Sequence, residues 1–329
     1  MKVLIPVAGI GSKLRPHTHT QPKALVPVAG KPILSHIVDN LIEAGMREFI
    51  FIVGYLGDKV EEYIRSNYPG IIKHFIIQEP REGTGHAVWL ARHLVNPGDE
   101  LVIALGDTIF DVNLREVLSS ETSALAVKRV DDPRTFGVAE LDEDGFIRHV
   151  VEKPPIPKSN LALVGLYKIR ESQELIQALD EIINRNQRTQ GEYHLTDGIE
   201  VMIRNGAKIR TFPVENWYDC GSKESLLETN AGLLKKVIPA HQYQFPNTII
   251  IPPVSISEHC RISNSIIGPN VSIGDHTIVH YSIVKESIIG SYSEIRNAVL
   301  HHSVIGSDSS LHGLSQSLNL GDSTEIDFG

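Results

Sequence analysis

The chain has 329 residues, 41% of them hydrophobic, enough at roughly 100 to 200 residues per domain for two domains, each with a core of its own; disorder and a disulfide-stapled miniprotein are excluded. Its 31 basic and 40 acidic side chains leave a formal charge of −9, so the balance favours neither nucleic acid nor an anionic membrane surface, and any phosphate must be held by local devices. Two cysteines, Cys220 and Cys260, fit a reducing compartment; with no signal-peptide pattern and no run near the roughly 18 apolar residues of a membrane span, a cytoplasmic location is expected.

In chain order, Lys2 to Val7 reads as a buried strand. Lys31 to Ala44 reads as a helix, with Pro32 in its first turn, an apolar stripe on Ile33, Ile37 and Leu41, and Gly45 to end it. Phe49 to Val53 is the next strand, Gly85 to Leu94 a helix, Val102 to Leu105 and Ala124 to Val127 short apolar strands, and Leu175 to Asn184 a helix. This alternation predicts an α/β fold: a Rossmann-like domain with a mostly parallel sheet, helices on both faces, and ligands at the carboxyl ends of its strands.

From Pro246 the composition changes. Only Arg261, Lys285 and Arg296 are basic there, so 28 of the 31 basic residues lie upstream. One phrase recurs as Ser265-Ile266-Ile267-Gly268, Ser287-Ile288-Ile289-Gly290 and Ser303-Val304-Ile305-Gly306, and aliphatics return at six, as at Ile267, Ile273 and Val279. Hexads of this kind predict a parallel β-helix, about three coils of roughly 18 residues. The boundary falls near residues 236 to 248, giving domains over 1–240 and 246–329, the second with an irregular C-terminal tail.

Residue types at the strand ends point to phosphate chemistry. The first strand runs into Ala8-Gly9-Ile10-Gly11-Ser12-Lys13-Leu14-Arg15-Pro16 and then Pro22-Lys23, where small residues let backbone amides approach a polyphosphate and Lys13, Arg15 and Lys23 supply cations. The spacing matches neither the Walker A loop nor the dinucleotide fingerprint, since Leu14 stands where a third glycine would be.

The order of motifs resembles the sugar-1-phosphate nucleotidyltransferases. The resemblance runs from that loop through Gln78-Glu79-Pro80-Arg81-Glu82-Gly83-Thr84-Gly85-His86, Leu105-Gly106-Asp107, Phe136-Gly137-Val138, Glu152-Lys153-Pro154, Gly165-Leu166-Tyr167, Gly191-Glu192-Tyr193 and Trp217-Tyr218-Asp219-Cys220-Gly221, over residues 1 to about 235. Within the family it is most similar to glucose-1-phosphate thymidylyltransferase, whose longer members carry a left-handed β-helix. The resemblance implies Mg²⁺-dependent transfer of a nucleotidyl group from a nucleoside triphosphate, dTTP or UTP, to a sugar 1-phosphate, glucose 1-phosphate foremost, with release of pyrophosphate.

It also implies roles. Asp107 and Asp219 would hold Mg²⁺, and Lys13, Lys23 and Lys153 would complete the catalytic set with them. Ala8, Gly9, Gly11, Ser12, Gln78, Gly83 and Thr84 would bind the nucleotide, and Gly137, Glu152, Lys153, Gly165 and Glu192 the sugar phosphate. Thymine and uracil differ by a methyl group, which Gln78 does not read. The departure is Lys13, where the family usually has arginine; a point charge replaces a planar fork. That change keeps open a non-catalytic, nucleotide-sugar-binding regulatory subunit as the other reading. His17, His19, His280, His301 and His302 read as surface or stacking residues, with a bifunctional acyltransferase as a third possibility. A homo-oligomer is expected from exposed β-helix coils and faces.

Overall fold

A computed structural model of the protein describes residues 1–236 and 243–313, so the expected irregular tail lies outside the described residues. The chain divides into two units, Met1–Thr229 and Asn230–Gly329.

The first unit begins with β1 (Lys2–Pro6) and a small hairpin, β2 (Pro27–Val28) and β3 (Lys31–Pro32), followed by α1 (Ile33–Glu43). The βα alternation continues through β4 (Glu48–Val53), α2 (Gly57–Asn67), β5 (Ile72–Ile77), α3 (Thr84–Leu90) and β6 (Leu101–Ala104). Then come β7 (Thr108–Asp111), α4 (Leu114–Ser119), β8 (Ser123–Arg129), β9 (Gly137–Leu141), β10 (Ile147–Glu152) and β11 (Leu161–Ile169). The unit closes with α5 (Ser172–Asn184), α6 (Leu195–Arg204), β12 (Ile209–Pro213), β13 (Asn216–Asp219) and the start of α7 (Lys223–Leu234).

Its nine-stranded sheet runs β10-β9-β11-β6-β1-β4-β5, with β8 joined to β11 and β12 to β8. β6, β1, β4 and β5 are parallel, whereas β11 runs antiparallel to β6, β8 and β9. Val3, Leu4 and Ile5 are wholly buried. That is why β1 is an unbroken apolar run and not an alternating one: in a parallel sheet covered on both faces, neither face meets water. Lys2, buried at the foot of β1, is tolerated because its Nζ donates to the Leu94 carbonyl at 2.6 Å and pairs with Asp99 at 2.9 Å.

Several expected boundaries shift; α5, for one, begins at Ser172 and not at Leu175. Lys31 and Pro32 belong to the hairpin and Pro32 caps α1 with an extended ψ of 148°, so the helix begins at Ile33. The helix expected from Gly85 to Leu94 starts at Thr84 and tightens to a 3₁₀ turn over Ala91–Leu94.

The second unit is a parallel β-helix of three four-stranded sheets, the left-handed hexapeptide architecture that the repeats imply. Its coils depart from the expected three of 18 residues. Four strands stack in each sheet, with Ile249 opposite Ile266, Ile266 opposite Ile283 and Ile283 opposite Val299, so coils take 17 residues and then 16. The reason lies at the corners. Single residues in the left-handed region turn the chain, among them Asn264, Asn270, His276, Tyr281, Glu286, Tyr292, Asn297, His302 and Asp308, so corners can follow at five residues where a hexad would use six. Ile262, Ile267, Ile273, Val279, Val284 and Ile295 fill the interior. Ile267→Ala, at a fully buried position, is expected to cost about 2–5 kcal/mol. The measurement is hydrogen exchange, which should accelerate across residues 249–305 and stay unchanged across 1–229.

Candidate active site

β1 is the strand at which the sheet's order turns: from it the chain runs outward through β4 and β5, then returns to place β6 on its other side. Loops after such strands open a crevice at their carboxyl ends. Here those loops are Val7–Arg15 after β1 and Leu105–Asp107 after β6. They lie in contact: the Gly106 amide donates to the Pro6 carbonyl at 3.2 Å, and a Cβ on Gly106 would come within 2.2 Å of Val7 Cγ1. Ala8, Gly9, Lys23, Gln78, Gly83, Thr84, Asp107 and Glu192 line one cleft there, together with Arg81. Nothing lies within 4 Å of where a Cβ on Gly9 would sit, so its backbone faces open space. Gly83 has φ 104°, and a Cβ there would meet the Tyr193 carbonyl at 2.5 Å; only glycine lets this loop press against the segment preceding α6. Gln78 is buried, with Nε2 donating to the Gly83 carbonyl at 2.9 Å and 3.4 Å from His86 Nδ1, an orientation that turns its carbonyl oxygen away from both.

The charged centre sits beside this cleft. Lys23, on a 3₁₀ turn anchored by buried Ala24 and Leu25, places Nζ 2.7 Å from Asp107 Oδ2. β7 and β13 pair antiparallel with Asp219 opposite Thr108, and the Cys220 amide donates to the Asp107 carbonyl at 3.1 Å, so strand register sets the two carboxylates side by side. Their titrations part accordingly. Burial alone would raise the Asp107 carboxyl, but the Lys23 charge and hydrogen bond hold it below the ordinary carboxylate range. Burial, then the Asp107 charge, push Asp219 upward against the opposing pull of Lys23 and Lys13. Lys13, on the turn after left-handed Gly11, thus acts electrostatically on Asp219. Cys220 next door is wholly buried, its thiol pushed up to about 12 by burial, and is no nucleophile.

Of the residues expected at the sugar phosphate, Gly137, Glu152 and Lys153 gather around the end of β10. Glu152 Oε2 accepts from Thr196 Oγ1 at 2.7 Å, and Oε1 lies 3.4 Å from Lys153 Nζ and 3.7 Å from His194 Nδ1. A Cβ on Gly137 would sit 3.2 Å from Glu152 Oε2. Lys153 has φ 42°, a conformation costly for a side-chain-bearing residue, held by its amide donating to the Phe136 carbonyl at 3.0 Å. Tyr167 joins the two ends: burial first, then the charges of Glu152 and Asp107, raise its phenol. Gly165 packs on Leu105 at a break in the β11 register and shapes the wall next to Asp107. Gly11, Ser12, Lys13, Gly137, Glu152, Lys153, Gly165 and Asp219 lie outside the cleft lining proper. Sequence reasoning missed Thr196 and His194 as partners of Glu152, and Arg81 as a cation on the cleft. The first two sit in the Glu192-to-Asp197 segment, where α6 begins and its turn faces β10; the signal was a polar run entering an amphipathic helix.

Residues 2–236 match the nucleotidyl transferase family. The chain belongs to that family. Within it, the chain is 32% identical over 273 residues to a glucose-1-phosphate thymidylyltransferase of Streptomyces antibioticus, covering 80% of this chain and 75% of that protein. It is 37% identical over 254 residues to the bifunctional protein GlmU of Methanococcus maripaludis, covering 76% of this chain; this chain spans 59% of that relative's length. Among solved nucleotidyl transferase structures, a putative glucose-1-phosphate thymidylyltransferase from Bacillus anthracis in complex with a sucrose superposes with a TM-score of 0.61 at 28% identity, over 74% of this chain and 98% of that one. A UDP-glucose pyrophosphorylase complexed with UDP-glucose shares the fold, with a TM-score of 0.63 at 24% identity, over 72% of this chain and 99% of that one. Among the described residues no helix is long and apolar enough to cross a membrane.

The raised Asp219 carboxyl gives a stability prediction. A native state that holds this proton more tightly than the unfolded chain loses stability as pH rises from the ordinary carboxyl range through the raised value. Removing the carboxylate removes that loss. In EDTA at neutral pH, Asp219→Asn should therefore melt at a higher temperature than wild type, and the difference should vanish in acid below the ordinary carboxyl range. A lower melting temperature at neutral pH would contradict the assignment of strain to this carboxylate.

Proposed function

We propose that the protein transfers a nucleotidyl group from a nucleoside triphosphate, dTTP or UTP, to a sugar 1-phosphate, glucose 1-phosphate foremost, releasing pyrophosphate and forming a nucleotide sugar. The observation that carries this reading is the Lys23, Asp107 and Asp219 cluster at the sheet's switch point, beside a cleft with a buried amide at Gln78. The oxygen-only donor pair suits a hard divalent cation, which would offset both the burial and the Asp107 charge that push Asp219 upward. We take that cation to be Mg²⁺, held by Asp107 and Asp219; when bound it supplies charge neutralisation at the phosphates.

The chain's own residues provide binding and orientation. Gln78, its Nε2 engaged by Gly83, presents a carbonyl oxygen that accepts the imino N–H of uracil or thymine and repels the lone pair cytosine carries at that position. The Gly9 backbone and the Gly83–Thr84 turn leave room for the base and ribose. Lys23 and Lys13 face the triphosphate, and Lys153 faces the sugar phosphate, so two mutually repelling anions are drawn together. Glu152, oriented by Thr196, accepts hydrogen bonds from sugar hydroxyls, with Glu192 at the cleft rim. The sugar phosphate oxygen attacks the α-phosphorus as the bond to pyrophosphate breaks; no enzyme nucleophile is required. The reading extends to a cytoplasmic location and to a homo-oligomer, the latter supported by the outward aliphatic column Ile249, Ile266, Ile283 and Val299 on one β-helix face, with Ile249 and Val299 more than half exposed.

Purified protein with Mg²⁺, sugar 1-phosphates and each nucleoside triphosphate should release pyrophosphate, fastest with dTTP or UTP and slowest with CTP. Absence of release with every pair, alongside nucleotide-sugar binding by calorimetry, would instead make the protein a regulatory subunit. Lys153→Ala should raise the KM for sugar phosphate with little change in that for nucleotide, whereas Lys23→Ala should lower kcat by about 100-fold or more through loss of a charge contact strongest in the transition state. Since burial and the neighbouring Asp107 charge raise Asp219 in the metal-free protein, the Mg²⁺ concentration needed for half-maximal activity should rise as pH falls, beginning above the ordinary carboxylate range.

A further inference from the structure

In a parallel β-helix, residues one coil apart lie about 4.8 Å from each other, so outward side chains at one corner form a column. Among the described residues, two columns bring imidazoles to a carboxylate: His259, Asp275 and His276 in one, Glu286, His301 and His302 in the other, with the N and O atoms of each trio within 4.8 Å. Ring orientation separates them. His259 and His276 lie face to face, 10° apart at 4.7 Å, and Tyr292 continues the stack at 5.0 Å. Parallel rings aim their lone pairs in parallel, so this column is an aromatic stack. His301 and His302 instead cross at 64°, with centroids 4.0 Å apart.

The second trio converges. His302 Nδ1 lies 2.9 Å from His301 Nε2, and Glu286 Oε2 lies 3.0 Å from His301 Nε2 and 3.2 Å from His302 Nδ1. An ion with bonds of about 2.1 Å separates neighbouring ligands by about 3.0 Å in an octahedron and about 3.4 Å in a tetrahedron. The three atoms therefore match one face of a coordination shell. The backbone sets that triangle: Glu286 and His302 are both left-handed corner residues, φ 46° and 47°, one 16-residue coil apart. His301 pairs in register with Lys285, next to Glu286. His302 Nδ1 also lies 3.0 Å from His301 Nδ1, so His301 can ligate through Nε2 when its Nδ1 carries the single proton of the neutral ring, and His302 through Nδ1 with its proton on Nε2.

We propose that Glu286, His301 and His302 bind one divalent transition-metal ion on the β-helix. Two imidazoles and a carboxylate select the borderline metals, zinc, nickel, cobalt or copper, over magnesium, which the oxygen-only pair of Asp107 and Asp219 suits better. The side chains are 39–62% exposed, so the remaining coordination positions open to water or to a ligand from outside.

The test uses the full chain without a histidine tag, at about pH 7.5 where imidazole is neutral, in excess Mg²⁺ to fill oxygen-only sites. Titration with Co²⁺ should yield one equivalent of bound metal with visible d–d absorption, displaced stoichiometrically by Zn²⁺. Glu286→Gln and His302→Ala should each weaken Zn²⁺ binding on the order of 100-fold with unchanged far-UV circular dichroism, while His276→Ala should bind as wild type does. Failure of wild type to bind one equivalent, or affinity lost in His276→Ala and retained in His302→Ala, would overturn the proposal.

Discussion

The contact between Lys23 and Asp107 is the interaction on which the candidate site depends. It joins the turn that follows the glycine-rich entry to the end of β6, and so ties the two loops flanking the switch point of the sheet. An ammonium 2.7 Å from the Asp107 carboxylate holds that group below the ordinary range, and burial together with the Asp107 charge raises its neighbour Asp219. Two carboxylates thus stand together while the Lys23 ammonium is hydrogen-bonded to only one of them, an arrangement that favours taking up a cation together with phosphates.

Around that pair the structure accepts local cost. Lys153 lies in the left-handed region, immediately before a proline, and Gly83 is pressed against the Tyr193 carbonyl with no space for a side chain. Both are held by neighbours that are themselves rigid: the antiparallel β9–β10 pair for Lys153 and the start of α6 for Gly83. The β-helix follows the same rule at larger scale. Its short coils require a corner residue with positive φ on each side, and the cost is offset by an interior of close-packed aliphatics and an unbroken ladder of hydrogen bonds between coils. The corners also gather chemistry, because they point side chains from successive coils outward at one spacing.

How much of this was legible varied with the kind of signal. The β1 strand could be read because its apolar run is uninterrupted, and the two architectures because charge falls and a phrase repeats after Pro246. The pairing of Asp107 and Asp219 came only through the family resemblance, since 112 positions separate them in sequence and the β7–β13 register is what sets them side by side. Thr196 and His194 escaped notice for a similar reason: neither residue type announces a role until α6 is packed against β10. The coil length was not legible because the hexads are carried by aliphatics, whereas the corners that shorten the coil are made by asparagine, histidine, tyrosine and glutamate, residues with no common hydropathy.

Local pattern by itself determined the fold class, because burial periodicity and backbone allowance are properties of adjacent residues, and the order of the glycine and lysine motifs carried the resemblance to the family. Tertiary structure alone decided which charges meet, which carboxyl is held down and which pushed up, and where imidazoles converge on the β-helix. Those depend on strand register and coil pitch, and a Coulomb interaction is set by distances between side chains that the linear order leaves far apart.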